Sequence, residues 1–120
     1  MKQKVHSVSY LAKAEFKFND GVYDLVALPC GAEVLKVSLE VVGNPTAGSV
    51  SVGFKDEVKK DYFLTLESVD NTQKQATSAK DYTATSNKVV VAEVKNANGN
   101  DVKGVLRVLY FLPSVIEVEY

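Results

Sequence analysis

At 120 residues the chain fits one domain, able to bury roughly two thirds of the surface its unfolded form exposes. Lys and Arg total 14 against 15 Asp and Glu; a nucleic-acid binder needs a basic excess to neutralise phosphates, so no nucleic-acid partner is expected. The single cysteine, Cys30, excludes an internal disulfide framework and a multi-cysteine metal site. No apolar run approaches the roughly 18 residues that span a bilayer, so no membrane partner is expected.

The first residues, Met1-Lys2-Gln3-Lys4-Val5-His6, carry charge with no apolar stretch behind them, unlike a secretory signal. Synthesis in the cytoplasm, or excision from a longer precursor, is the expectation. From Val8 the even positions (Val8, Tyr10, Ala12, Ala14, Phe16, Phe18) are apolar, and the odd positions between them are mostly polar, Leu11 excepted. Strand side chains alternate between faces, so residues 5–18 predict a long strand with one face in a core. Asn19-Asp20-Gly21 predicts a hairpin turn, with a second strand over residues 22–28 returning from it. Pro29-Cys30-Gly31-Ala32 then breaks the chain.

A third strand is expected over residues 33–42, with Leu35, Val37, Leu39 and Val41 on one face. Residues 43–48 (Gly-Asn-Pro-Thr-Ala-Gly) predict a loop, and residues 49–54 a short strand with Val50, Val52 and Phe54 pointing one way. Its other side, Ser49, Ser51 and Gly53, is small enough for a covered face or a solvated one. Residues 55–61 form a charged connection with room for one helical turn. Tyr62-Phe63-Leu64-Thr65-Leu66 suits a strand or a cap on the core, and residues 70–80 a long exposed loop or a surface hairpin.

Residues 88–95 and 102–112 predict two closing strands joined by a hairpin loop with Asn98-Gly99 at its centre. Beyond Pro113, the residues Val115, Ile116, Val118 and Tyr120 alternate with Glu117 and Glu119. No helical period appears. The pattern predicts an all-β protein, an antiparallel β-sandwich or jelly roll in a single domain spanning residues 1–120. The expected core is Tyr10, Phe16, Phe18, Leu35, Val37, Leu39, Val41, Val50, Val52, Val89, Val91, Leu106, Val108 and Tyr110. Extended arms are expected at residues 1–7 and 115–120, with Val115, Ile116, Val118 and Tyr120 as the candidate interaction arm, laid on another chain or forming one more strand of the same sheet.

No catalytic, cofactor-binding or metal site is expected. His6, the single histidine, sits among Lys and Ser. Cys30 has no basic neighbour to activate a thiolate. Asp20, Asp24, Asp56, Glu57 and Asp61 lack the spacing of a calcium loop. The glycines Gly99 and Gly104 do not make a phosphate-cradling pattern. The six tyrosines mostly follow strand alternation rather than forming a stacking platform.

Three segments carry a resemblance: Leu28-Pro29-Cys30-Gly31-Ala32 before an apolar alternating strand, Gly48-Ser49-Val50-Ser51-Val52-Gly53-Phe54, and Asp61-Tyr62-Phe63-Leu64. Across residues 16–112 the chain resembles small all-β virion proteins of tailed phages and prophages, similar to capsid decoration (cement) proteins. Cys30 stands where Ala is commoner, and residues 56–61 and 71–80 depart from the pattern. The resemblance implies a jelly-roll or sandwich fold and no enzymatic activity. It implies a virion protein on the capsid exterior, with the major capsid protein as partner and a homo-oligomer, most often a trimer. A tail, neck or baseplate component is a competing reading, as are a carbohydrate-binding sandwich, which the lack of Trp disfavours, and a small hydrolase.

Overall fold

The computed structural model describes residues 1–119, with side-chain surroundings through residue 114. Nine strands and no helix occur among them: β1 (Lys2–His6), β2 (Ser9–Lys17), β3 (Gly21–Leu28), β4 (Glu33–Phe54), β5 (Leu64–Leu66), β6 (Gln75–Ser78), β7 (Tyr82–Thr83), β8 (Lys88–Phe111) and β9 (Val115–Glu119). The protein is thus all-β, built on an antiparallel sheet of seven strands.

Two long strands organise it. β4 and β8 pair antiparallel from Glu33↔Phe111 to Phe54↔Val90, so a single two-stranded ribbon runs the length of the domain. β2 lines the C-terminal half of β8 and β3 its N-terminal half, while β5, β6 and β7 line β4. The ribbon does not run straight. Tyr82 pairs with Val34 at the start of β4, yet its ring lies 4.6 Å from that of Phe54 at the other end. A straight strand would separate Val34 and Phe54 by roughly 65 Å. The ribbon therefore folds over, and its two halves face each other across one core.

The bend falls where both strands carry turn chemistry. Residues 43–48 lie opposite residues 96–101, with the register shifting at Val42/Asn44, Pro45/Ala47 and Ala47/Ser49. Bulges of this kind raise local twist and bend a strand. Gly43 holds φ at 116°, and a Cβ there would collide with the Asp101 carbonyl. Asn96 and Asp101 themselves take positive φ, which their short polar side chains tolerate.

This corrects three expectations. The segments read as loops at residues 43–48 and 96–101 are the paired bend of continuous strands, so no hairpin separates residues 88–95 from 102–112. Asn19-Asp20-Gly21 does turn the chain, but β2 and β3 pair with different halves of β8 rather than with each other. The long first strand is broken at Ser7-Val8 into β1 and β2.

One cluster forms the core. It takes Val37, Leu39 and Val41 from one half of β4 and Val50, Val52 and Phe54 from the other, Val90, Ala92 and Val94 from β8 with Leu106, Val108 and Tyr110 further along it, and Phe16 and Phe18 from the β2 side. Four expected core residues are placed differently. Leu35 is 42% exposed, because a bulge between Val34 and Lys36 shifts the phase and Val34 takes the inward position. Val89 is half-buried while Val90 points into the core; a run of three valines carries no polar residue to mark the phase. Val91 is buried, but on the opposite face from Val90, Ala92 and Val94. Tyr10 has the expected phase but is 51% exposed, with one side of its ring against the edge-on ring of Tyr110.

β1 and β9 stand apart from the seven-stranded sheet. Among the described residues they pair with each other, from Lys2↔Glu119 to His6↔Val115, in a separate two-stranded sheet. The radius of gyration, 15.9 Å, exceeds the roughly 13.6 Å of a compact chain this long, as a projecting ribbon requires.

Candidate interaction surfaces

The terminal ribbon continues the line of the β2–β8 ladder. At the junction the Leu112 amide donates to the Val8 carbonyl at 2.8 Å, and His6 Nδ1 lies 2.9 Å from the Leu112 carbonyl oxygen. The single histidine is thereby tied to the base of the ribbon. Beside it a shallow depression is lined by His6, Glu33, Leu35 and Phe111. Of the candidate arm, Val115, Ile116 and Val118 lie in β9, and Tyr120 lies outside the described residues.

A second surface is the outer face of the β3–β8–β4–β5 half. Here the small residues foreseen at Ser49, Ser51 and Gly53 meet a covering loop. A Cβ on Gly53 would lie 2.6 Å from the Lys60 carbonyl carbon and 2.7 Å from the Asp61 nitrogen. Val91, the β8 partner of Gly53, is fully buried although it faces away from the core. Val58, at the outer turn of this loop, is almost wholly exposed. Sequence reasoning gave residues 55–61 as a charged connection with room for one helical turn, and they form turns and bends with no helix; the small outward side of residues 49–53 was the available signal that something lies on that face.

At one end of the fold, aromatic rings close the core. Phe54 packs against Tyr62, Phe63 and Tyr82 with centroids 4.6–5.2 Å apart. Lys80 Nζ sits 3.8 Å from the Tyr62 ring centroid. Lys88 reaches over Phe54 and bonds Asp56 at 2.6 Å. That hydrogen bond, with the charge behind it, holds the Asp56 carboxyl below its usual value and the Lys88 ammonium above its own. Asp70 is likewise lowered, because its carboxylate accepts from the Thr72 hydroxyl and the Thr72 and Gln73 amides.

The other candidate ligands and nucleophiles do not converge. Asp24 pairs with Lys55 at 2.7 Å, and Asp20 accepts from the Ala97 amide at 2.8 Å. Cys30 is exposed, with its Sγ 3.4 Å from the Thr85 carbonyl oxygen. Among the described residues no three His, Cys, Asp or Glu side chains gather where they would hold a metal ion, and no charged or polar residue is buried. What the geometry offers is surface: a projecting ribbon, a covered sheet face and strand edges.

Comparison with known proteins gives those surfaces a setting. No family model and no curated protein matches the chain. Among solved structures, a chain in the acidic stable capsid structure of Helicobacter pylori bacteriophage KHP30 is 78% identical over 100% of both chains, with a TM-score of 0.90. A chain of the cyanophage Pam1 capsid asymmetric unit shares the fold, with a TM-score of 0.68 and 22% identity over 88% of this chain and 85% of that one. The full-length likeness to the KHP30 capsid chain thus makes this a bacteriophage virion structural protein. Within that class, the chain belongs to the same family as the KHP30 capsid chain.

Proposed function

We propose that the chain is a capsid decoration (cement) protein that binds the exterior of the major capsid protein lattice and stabilises it. The observation that carries this reading is the full-length likeness to a chain of a phage capsid structure. The physical form supports it. The core is apolar throughout, with no buried polar or charged residue among those described, as suits a rigid body that performs no chemistry. The β1–β9 ribbon supplies a projecting contact element; Val115, Ile116 and Val118 of β9, with Tyr120 next beyond it in sequence, are the proposed contact residues. Symmetric assembly, with a trimer as the favoured state, multiplies weak contacts.

The test uses particles made without this chain. Intact shells that take up the purified protein in hundreds of copies and then resist heat better support decoration. Failure of any shell to form makes it a shell component, and a handful of copies per particle makes it a tail, neck or baseplate part. Removal of residues 115–120 tests the ribbon. A truncated protein that keeps its unfolding midpoint but no longer binds shells supports the contact role, whereas loss of folding assigns those residues to the core.

A further inference from the structure

We propose that the terminal ribbon of one copy lies across the outer apolar face at Leu11, Leu35, Leu109 and Phe111 of the next copy, the contacts running head to tail around a ring. The inference rests on the contact role proposed for the ribbon and names its partner.

The two outer faces of the fold differ in cover. On the β3–β8–β4–β5 half, residues 60–61 come down onto Gly53. The outer face of the β2–β8–β4 half is open: Leu11 is 63% and Leu35 42% exposed. Leu11 lies opposite Leu109, and the bulge at Val34/Lys36 brings Leu35 beside Leu109 on the same side. Phe111 follows two residues along β8. A contiguous apolar patch of this kind marks a contact.

The ribbon has the opposite deficit. Two paired strands with no layer against their apolar side are marginal on their own. Val5 is paired with Ile116 and Gln3 with Val118, and residues directly opposite share a face. One side of the ribbon thus carries Val5, Ile116 and Val118, and the other Lys2, Lys4, His6, Glu117 and Glu119. The chain's own ribbon does not suit its own patch. Its base is held in line with β2 and β8 by the Leu112–Val8 and His6–Leu112 hydrogen bonds. His6 lines the depression beside Leu35 and Phe111, so the side turned toward the patch is the polar one. A second copy can bring the apolar side.

Charge selects that occupant and its direction. Lys13 and Lys36, at one end of the patch, have no ion pair among the described residues. Glu33 stands at the other end, opposite Phe111. The ribbon has Glu117 and Glu119 along its β9 edge, and Lys2 and Lys4 along its β1 edge. Laid across the strands, as in orthogonally packed sheets, its β9 edge meets Lys13 and Lys36 while its β1 edge meets Glu33. The reverse direction sets lysines against lysines. Ribbon and patch are different surfaces, so the contact is heterologous, and such contacts close into rings. A ring uses every ribbon and every patch, and one of three members agrees with the trimer favoured above.

Cross-linking tests the contact. In a Cys30→Ser background, Val5→Cys and Leu11→Cys are combined in one chain and treated with a short bis-maleimide, both in solution and on shells that have taken up the protein. Extended chain separates the two positions by about 20 Å, so a short linker joins different copies. The expected product is a ladder ending at a covalent trimer. Either single variant should stay monomeric, and a mixture of the two should give dimers. Leu35→Asp should lower the ladder yield several-fold while moving the unfolding midpoint by less than about 4 °C. Lys13→Glu with Lys36→Glu should lower the yield likewise. A folded double variant that gives no covalent oligomer in either setting overturns the proposal. So do Val5→Cys chains that link to each other or to the shell protein, and an undiminished ladder from Leu35→Asp. Shells that fill with this protein while no ladder forms overturn the contact alone; a ladder from protein that shells refuse overturns the decoration reading alone.

Discussion

Leu35 and Leu39 sit four residues apart in one strand, and plain alternation puts them on the same face. The bulge between Val34 and Lys36 separates them: Leu35 is 42% exposed and Leu39 is 1% exposed. Leu39 is also braced on both sides, opposite Ala76 of β6 and Leu106 of β8, so the backbone around a cavity there has little freedom to collapse. Buried Leu→Ala changes cost about 2.7–5.0 kcal/mol, rising with the cavity that remains, and a braced site belongs near the middle or above: about 3–4 kcal/mol for Leu39→Ala. Leu35→Ala gives up partial contact only and should cost less than about 1 kcal/mol. In a chain of this length 1 kcal/mol moves the midpoint by about 4 °C, so the expected falls are about 12–16 °C for Leu39→Ala and under about 4 °C for Leu35→Ala. Thermal and urea unfolding followed by circular dichroism measure both. Equal losses, or a larger loss at Leu35, would refute the phase shift at the bulge and with it the facing of the first half of β4.

Two further outcomes follow from local geometry. Gly53→Ala pushes a methyl group against the backbone at Lys60 and Asp61, and should cost about 1–3 kcal/mol by overpacking. It should also speed proteolysis within residues 55–61, and an unchanged cleavage rate there would mean that the loop does not rest on that face. Asp56, depressed by Lys88, contributes stability that is present above its unfolded pKa, near 3.8, and is lost as pH falls through the lower folded value. Lys88, raised by Asp56, contributes below 10.5 and loses that contribution as pH rises through its higher folded value. The pair therefore adds no slope between about pH 5 and 9. Asp56→Asn should lower the plateau and shrink the loss of stability below about pH 4; an acid limb identical to the parent's would contradict the pairing.

Side-chain period was legible wherever polar residues marked it. Val37, Leu39, Val41, Val50, Val52, Leu106 and Val108 were expected inside from alternation and lie there. Connectivity was harder to read, for a physical reason. Gly, Asn and Pro report where the backbone takes positive φ or loses a donor, and a bend shared by two paired strands needs the same chemistry as a reversal. Residues 43–48 and 96–101 each looked like a loop, and only their placement opposite one another distinguishes a fold-over from two turns. The bulge at Val34/Lys36 leaves no such mark, since Leu35 is as apolar as the residues that stay inside. The virion setting was legible only through the short motifs at Leu28–Ala32, residues 48–54 and Asp61–Leu64.

Recognition surfaces of this protein are hard to read from residue types because much of what they present is backbone. A catalytic site is spelled by side chains whose chemistry is rare. A strand edge offers the same amide and carbonyl groups whatever its sequence, so its protection is spelled by other means: short or bulged strands at most edges, and the charges of Lys13, Glu15 and Lys17 on β2, which has no proline and no bulge. Leu11, the apolar residue among polar ones on the outer side of that strand, is the visible trace. It interrupts the alternation of an otherwise polar outer side and stands 63% exposed on that edge.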